Sequence, residues 1–472
     1  MTASSKYKQA LKHSISEGKW WSVMWGFGDS FLPAFAVLLK ATTTQLGLLV
    51  SIPQLFAAII QLSAIRIESN QVSRKSMLLG TTLLQGMAWF TIFLLPWSTG
   101  SVPVLIALAT LYAGLGAMGL PFWVSWMGDL VPEETRGTYF GQRNRIIGVV
   151  TFLALAVAGV ILNLTSKWNA MLGFGLLFFI AGAARLYSAR YFKLQYEPEL
   201  QLKPTDSYGF MDFIRGMGKS SFGMFTIFVS LMNVAVFISG PLMVAYWLTF
   251  LNFSYLQMTL LMGAISVSSF LMISHWGKHV DEYGNRNILE VTSIIITLFP
   301  LLWYLIHFLD GPLVFYMALA IQILGGLAWS GYNLTLGNYI YDAIDPGNRL
   351  RMTSYHNLFK GFGVVIGGLL AGFLSSIPVT NVWISSHILP SGIMISFLVS
   401  SAARMLVIKV FMPRIKEIRL TGKTRPPLYY FVAVMPFRGL KADLVVGINR
   451  TIQKRRRERS GFTSSSQAES LI

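Results

Sequence analysis

No cysteine occurs among the 472 residues. Disulfides, thiolate-held zinc and cysteine nucleophiles are therefore excluded. Charge is scarce too: Asp, Glu, Lys and Arg make up 12% of the chain, against about 25% in an ordinary soluble domain. Acid is the scarcer sign, with 20 Asp and Glu against 38 Lys and Arg. Catalytic signatures are missing as well. There is no H-E-x-x-H, G-x-S-x-G or P-loop pattern, and no paired His/Asp cluster within an apolar run. His275 and His307 have no second ligand at metal-site spacing. No metal, no cofactor and no enzymatic activity are expected.

What remains is apolar, at 54% hydrophobic residues. Such a chain has too little polar surface to cover itself in water. Several runs near 20 residues are almost uncharged, the length a helix needs to cross a bilayer core of ~30 Å. The ~10-residue alternating segments of a membrane barrel are absent. The expected fold class is an all-α multi-pass membrane protein. Twelve spans are predicted near 20–39, 45–66, 76–96, 103–128, 143–164, 169–191, 222–250, 256–275, 289–309, 314–341, 356–377 and 383–411. The lysines ahead of the first run (Lys6, Lys8, Lys12, Lys19) precede no short apolar core with a small-residue cleavage site, so the first helix is expected to be retained.

The net charge of +18 invites a nucleic-acid reading, but the basic residues sort by connection. Arg66, Arg74, Lys75, Arg136, Arg143, Arg145, Lys193, Lys278, Arg286, Arg349 and Arg351 lie on one set of loops, and little beyond Lys40 and Lys167 lies on the other. This asymmetry places both termini in the cytoplasm. No nucleic-acid partner is expected, and the site of residence is the inner or plasma membrane.

The chain divides into a segment 1–19, a first bundle 20–192, a central loop 193–221, a second bundle 222–411 and a basic tail 412–472. In the tail, Leu440, Leu444, Ile448 and Ile452 recur every four residues beside "KRRRER" at Lys454–Arg459. The pattern fits either an amphipathic helix on anionic lipid or a solvated basic tail. The last residues have a disordered composition.

The two halves repeat. "DLVPEETRGTYFGQRNRIIG" from Asp129 and "DAIDPGNRLRMTSYHNLFKG" from Asp342 match at an offset of 342 − 129 = 213. The same offset carries Arg136 to Arg349, Asn144 to Asn357, Gly148 to Gly361 and Glu68 to Asp281. Each half holds an even number of spans, so both share one orientation, a parallel repeat about an axis along the membrane normal. In "GKHVDEYGNRN", Gly277, Asp281, Gly284 and Arg286 resemble the G-x-x-x-D-x-x-G-x-R loop signature of the major facilitator superfamily. "DLVPEETRG" looks like the loop after that family's fourth span. The resemblance runs over about residues 20–411. It departs in the first half, where Ala64 and Gln71 stand in place of the signature glycines.

The resemblance implies twelve helices as two six-helix bundles related by a pseudo-twofold axis. It also implies a midplane site opened alternately to each side, and a cytoplasmic gate. An acid is favoured at the positive end of a helix dipole. The gate candidates are Glu68 with Arg74, Asp281 with Arg286, and Gly277, Gly284, Asp129, Arg136, Asp342 and Arg349. Glycines in span eleven (Gly363, Gly367, Gly368, Gly372) and span four (Gly114, Gly116, Gly119) are expected to let helices pack closely.

One acid stands inside the first apolar run. Asp29 lies nine residues past Trp20, ~14 Å along the helix and so near midplane. A charge there should face protein or water, not lipid. Pro33 has no N–H for the carbonyl of Asp29, which predicts a kink and a freed acceptor. Three roles stay open. Asp29 is a proton site, since a carboxyl that loses its water favours its neutral form; a counter-charge for a cation with help from Trp25; or a structural hydrogen-bond partner. Gln54, Asn233, Tyr246, Gln322, Trp329, Tyr332 and Asn333 fall on spans that line the family's cavity. Arg404 and Lys409 are expected to snorkel to the cytoplasmic interface.

The function expected is secondary active transport of a small organic solute, proton-coupled through Asp29, by a monomer whose partners are solute, proton and lipid. The alternatives are an uncoupled facilitator, a lipid-moving member, and a non-transporting receptor on the same scaffold.

Overall fold

The computed structural model describes residues 3–68, 73–95, 100–131, 136–198, 209–344, 348–378 and 391–418. Among these residues the chain is helical and holds no strand. Eleven helices are long and apolar enough to cross a membrane. In the numbering used from here, span two is Thr43–Glu68, three Arg74–Leu94, four Val102–Leu130, five Arg136–Thr165 and six Ala170–Leu194. Span seven runs over Ser221–Phe250. Spans eight to twelve are Tyr255–Tyr283, Asn285–Ile306, Leu313–Ala343, Arg349–Ser375 and Gly392–Phe411. The amphipathic pattern in the tail lies outside the described residues.

Local chemistry sets where these helices begin. Ser73, Asn169 and Ser220 accept the backbone N–H of the third residue on, at 3.2, 3.3 and 2.9 Å, each satisfying one of the orphan donors of a helix start. The first span is not among the eleven, and it is broken. A helix runs over Ala3–Phe27, a 3-10 turn over Asp29–Phe31, and a second helix over Leu32–Leu38. The first helix therefore takes in most of the 1–19 segment. Its buried Ala10 packs with Phe122, Trp126 and Leu130 at the end of span four.

Gly28 lies against the Trp89 indole, where a Cβ would come within 2.6 Å of the ring. Past it the chain tightens: the N–H of Phe31 reaches the carbonyl of Gly28 at 3.0 Å. The N–H of Leu32 takes the carbonyl of Asp29. The kink expected from Pro33 is thus present, but the Asp29 carbonyl is not left free. Leu32, one residue before the proline, satisfies it.

Span seven breaks at the corresponding place. Its first helix ends at Phe237, a 3-10 turn follows over Gly240–Leu242, and the span finishes as a π-helix over Tyr246–Phe250. The two 3-10 turns begin 240 − 29 = 211 residues apart. The duplication is clearest in the turns that follow. Lys40 and Asn252 both hold positive φ, 58° and 50°. Two residues later each half forms a capping box. In the first, Thr42 N–H donates to Gln45 Oε1 at 2.9 Å and Gln45 N–H to Thr42 Oγ1 at 3.2 Å. In the second, Ser254 and Gln257 repeat both bonds at the same distances. These pairs are 212 apart, one residue out of register with the 213 offset, so a comparison at constant offset passes over them.

The halves meet along two seams of small residues. On the first, span eleven turns Gly368 and Gly372 to span two and Gly363 and Gly367 to span seven. A Cβ on Gly47 would collide with the carbonyl oxygen of Gly368. Ser51 Oγ donates to the Val364 carbonyl at 3.1 Å, and Asn357 Nδ2 to Gln61 Oε1 at 3.3 Å. On the second seam, Gly159 of span five lies against Thr259 of span eight, and a Cβ on Gly263 would stand 3.2 Å from the Phe152 ring. Close backbone approach replaces side-chain interdigitation, as expected for helices in lipid.

Gly47→Ala is expected to cost about 1–3 kcal/mol, because its collision partner is backbone and cannot turn away. Gly80, whose Cβ would meet nothing within 4 Å, serves as control. Gly80→Ala should hold or raise the thermal unfolding midpoint in detergent, while Gly47→Ala lowers it.

Candidate functional site

Asp29 opens the 3-10 turn of span one and is half-buried. Trp25, also half-buried, lies one turn earlier on the helix. Tyr112 of span four lies within electrostatic reach of both Asp29 and Arg185. Its hydroxyl donates to Met24 Sδ at 3.2 Å.

Behind Tyr112 lies a polar network that sequence reasoning missed. Gln85 Nε2 donates to the Tyr112 carbonyl at 3.1 Å. Gln85 Oε1 accepts Nε and Nη2 of Arg185 at 2.9 and 2.6 Å. Arg185 Nη1 then meets Glu17 Oε1 at 3.2 Å. The other oxygen of Glu17 faces Arg143 Nη2 at 3.4 Å, and the Arg143 guanidinium stacks 4.7 Å over the Trp123 ring. Glu17, Arg143, Arg185 and Gln85 are all buried. Span one thus carries two carboxylates, Asp29 at its break and Glu17 held between two arginines. Arg185 carried a signal: it is a lone charge inside "FGLLFFIAGAARLYS". The test that singled out Asp29 applies equally to it.

The second half has its own buried cation. Arg404 was expected to reach the interface, but it is only 4% exposed. Nη1 donates to the Ile296 carbonyl at 2.7 Å, and Nη2 to Ser239 Oγ at 3.0 Å and the Val236 carbonyl at 3.4 Å. Ile296, in span nine, stands four residues before Pro300, so its carbonyl has no helical N–H to accept. The break in span seven adds the Ser239 hydroxyl and the Val236 carbonyl, so the guanidinium has no need to snorkel.

The cavity candidates separate. Gln54 and Asn333 are exposed, and Asn233 and Trp329 are half-buried. Asn233 Nδ2 donates to the Val229 carbonyl one turn back at 2.7 Å. Gln322 and Tyr332 are buried, and Tyr332 stands edge-on to Trp329 at 5.4 Å. Tyr246 is a core residue. It is fully buried, its hydroxyl donates to the Trp303 carbonyl at 3.1 Å, and Phe397 packs edge-on at 5.1 Å.

The arginines of the expected Glu68–Arg74 and Asp281–Arg286 pairs have further partners. Arg74 is buried, and its Nη1 lies 2.5 Å from Asp129 Oδ2. Its backbone N–H donates to Glu197 Oε1 at 2.9 Å, and Ser73 Oγ donates to Glu197 Oε2 at 2.9 Å. The second half mirrors this. The backbone N–H of Arg286 donates to Glu417 Oε2 at 2.7 Å, and Asn285 Nδ2 donates to Asp342 Oδ2 at 2.6 Å. An acid just past the sixth or twelfth span thus sits on the positive end of the third or ninth. Gly284 makes room for this at φ 87°; a Cβ there would collide with Glu417. Arg286 Nη2 lies 3.9 Å from Glu290. Gly277 has open space beside it, and Asp281 is exposed. The side chains of Glu68, Arg136 and Arg349 lie outside the described residues.

These features, a duplicated six-span unit, matched breaks in spans one and seven, and acids capping spans three and nine, invite comparison with known proteins. The Major Facilitator Superfamily model matches residues 22–344 and 238–443. The chain belongs to the major facilitator superfamily. No curated protein matches the sequence. Among solved structures, a mutant of the nucleoside transporter NupG superposes with a TM-score of 0.69 at 13% identity, over 86% of this chain and 100% of that one. An auto-inhibited POT family peptide transporter gives 0.65 at 14% identity, over 88% and 98%. A D-xylose–proton symporter gives 0.61 at 13%, over 89% and 99%. Identities this low establish the superfamily fold and leave the solute open.

Within this member of the superfamily, Glu17→Gln should destabilise by about 3–5 kcal/mol, since it leaves buried guanidinia short of a counter-charge. Arg185→Gln should cost a similar amount, and the double variant less than the two together. A double-mutant cycle on thermal unfolding checks this; strict additivity would show that the two side chains are not coupled.

Proposed function

We propose that the protein is a secondary active transporter that moves a small organic solute by alternating access, coupled to protons through Asp29. The observation that carries this reading is the placing of Asp29, a half-buried carboxylate on a 3-10 break in the first span. A charge within a membrane span is costly unless it faces protein or water. On a break, a small change in backbone can move the carboxylate between a watery and a dry setting. Protonation then becomes linked to which side is open.

The seams support the alternating-access part. Spans two and eleven, and five and eight, touch through glycine and small hydroxyl residues, which lets two packed bodies slide or rock. The segment Leu32–Leu38 beyond the break of span one packs on Met243–Ala245 beyond the break of span seven, so the two breaks lie near the place where the halves meet. Arg74 with Asp129 and Glu197, and Asn285 and Arg286 with Asp342 and Glu417, act as gate elements by keeping the loop face of each half rigid. The basic loops favour a plasma-membrane orientation with both termini in the cytoplasm.

The test uses purified protein in liposomes and a solute found by a thermal-shift screen of metabolites and drugs. Asp29→Asn should abolish accumulation driven by an imposed proton gradient while leaving solute exchange at equal concentrations intact. Solute-induced proton flux, followed with an entrapped pH dye, should vanish in the same variant. Accumulation at the wild-type level by Asp29→Asn would remove the coupling role and leave an uncoupled facilitator.

A further inference from the structure

Ahead of span seven the chain makes a short helix, Phe210–Gly216. Its start is capped, the Gly209 N–H donating to Asp212 Oδ2 at 3.1 Å. Its end turns tightly, with the N–H groups of Lys219 and Ser220 on the Gly216 carbonyl at 3.0 and 2.9 Å. A Cβ on Gly223, in the first turn of span seven, would collide with the backbone of Met217. The helix is therefore held against the start of span seven rather than hung on a loose connection.

Its residues sort by side. Phe213 is buried among the rings of Phe222 on span seven and Tyr355 and Phe359 on span eleven, with centroids at 6.1, 5.5 and 6.0 Å. Phe210 adds a second contact to Tyr355, at 5.2 Å. Met217, one turn past Phe213, packs on the same core. Beside this docked edge the helix is apolar but bare. Phe210, Met211 and Ile214 are exposed, Met211 at 56%, and Arg215 and Lys219 are exposed next to them. Apolar groups gathered on one exposed side, with cations beside them, mark a contact surface rather than a solvated helix.

Span eleven indicates what the surface contacts. Tyr355 and Phe359 open a row that continues through Phe362, Ile366 and Phe373, all three exposed. This row lies away from the glycines that meet spans two and seven, so in a bilayer it faces lipid. The short helix lies across the start of the row, and its bare side prolongs the lipid-facing surface. The depth agrees. Tyr355 is six residues into span eleven, ~9 Å from its end, where acyl chains give way to headgroups. The tail beyond residue 418 is a poor cover for this side, because its "KRRRER" run would be repelled by Arg215 and Lys219.

We propose that Phe210–Gly216 is a lipid-binding element. It lies in the plane of the leaflet on the basic-loop side, with Phe210, Met211 and Ile214 among the upper acyl chains and Arg215 and Lys219 on anionic headgroups. Bound there, lipid closes over the clasp that Phe213 makes between spans seven and eleven. The inference is independent of any transported solute and of Asp29.

The absence of native cysteine makes the test direct. Met211→Cys carries a bimane label on the full-length protein, reconstituted in liposomes of phosphatidylcholine and phosphatidylglycerol. Asp281→Cys, exposed at the end of span eight, is the watery reference. Iodide quenches from water, and an acyl spin label quenches from the bilayer, carried at equal mole fraction on either lipid. The label at 211 should be shielded from iodide, unlike that at 281, and quenched by both lipids. Spin-labelled phosphatidylglycerol should quench it more strongly, by about fivefold, the factor that one basic charge confers near an anionic surface. Arg215→Gln with Lys219→Gln should bring the two lipids to parity and leave the shielding from iodide in place. Iodide quenching at 211 equal to that at 281 would put the helix in water and overturn the proposal. Shielding from iodide and from both lipids would overturn it too, by showing that the tail or another protein segment covers this side. Equal quenching by the two lipids in the wild-type background, or a preference that survives the double substitution, would refute the anionic-lipid assignment.

Discussion

Inside a bilayer there is no water to answer a polar group, so each buried charge and each interrupted helix must find its partner within the protein. The rest of this structure depends on that constraint. Arg185 is held only because Glu17 and Gln85 converge on it from two other spans. Arg74 can be buried because Asp129, Ser125 and the Pro198 carbonyl take its guanidinium. Where span seven breaks, the acceptors released at Val236 and Ser239 are taken up by Arg404. In each case the partners come from different spans or from a segment just past one. The six spans of a half are therefore bound together by polar contacts as well as by packing.

Duplication repeated the geometry of this scheme without repeating its charges. Both halves keep the positive-φ residue, the capping box and the break in the first helix. These features concern backbone direction, and any residue that preserves the turn is acceptable: Lys40 and Asn252, or Thr42 and Ser254. The charged positions differ. Asp29, which opens the first 3-10 turn, has Gly240 at the opening of the second, and at the 211 to 212 offset of this region Glu17 falls on Phe228 or Val229. One half therefore carries carboxylates where the other carries none. A transporter needs symmetric mechanics to open to either side, but an asymmetric interior to hold a solute in one orientation and a proton at one place.

The spans were legible because hydropathy and length leave few choices in lipid. The predicted spans lie within a few residues of the observed helices except where polar sequence is helical and at the start of span twelve, where 383 lies outside the described residues. The Ala3–Phe27 helix starts long before the apolar run at Trp20, because Ala10, Ser14 and Glu17 pack on the ends of other spans and need no lipid. Asp29 was legible as a lone acid. Its neighbours were only partly so, since Trp25 lies one turn away but Tyr112 comes from another span. Glu17 and Gln85 look ordinary alone, a helix-end acid and a mid-span amide, and Arg185, though a lone charge in an apolar run, does not name its partners. Only tertiary packing brings positions 17, 85 and 185 together. Tyr246 misled for the converse reason. A tyrosine in span seven suits a cavity as well as it suits a core, and the Trp303 carbonyl decides between them.

The distribution of contact types bears on how the halves could move. The ion pairs of Arg74 with Asp129 and Glu197, of Glu17 with Arg143 and Arg185, and of Arg286 with Glu290 each stay within one half. The seams between halves consist of glycine against backbone, as at Gly47 and Gly368, and of neutral bonds such as Ser51 to Val364. Breaking an ion pair in a dry setting leaves an uncompensated charge and costs several kcal/mol. Sliding one glycine face past another exchanges van der Waals contacts of ~0.1–0.2 kcal/mol each for similar ones. Keeping charge inside the halves and small residues between them therefore lowers the barrier to rocking without loosening either half. Under the proposed function, a solute or a proton bound near the breaks in spans one and seven would act where the two bodies touch. A small change in local charge there is set against weak contacts rather than strong ones.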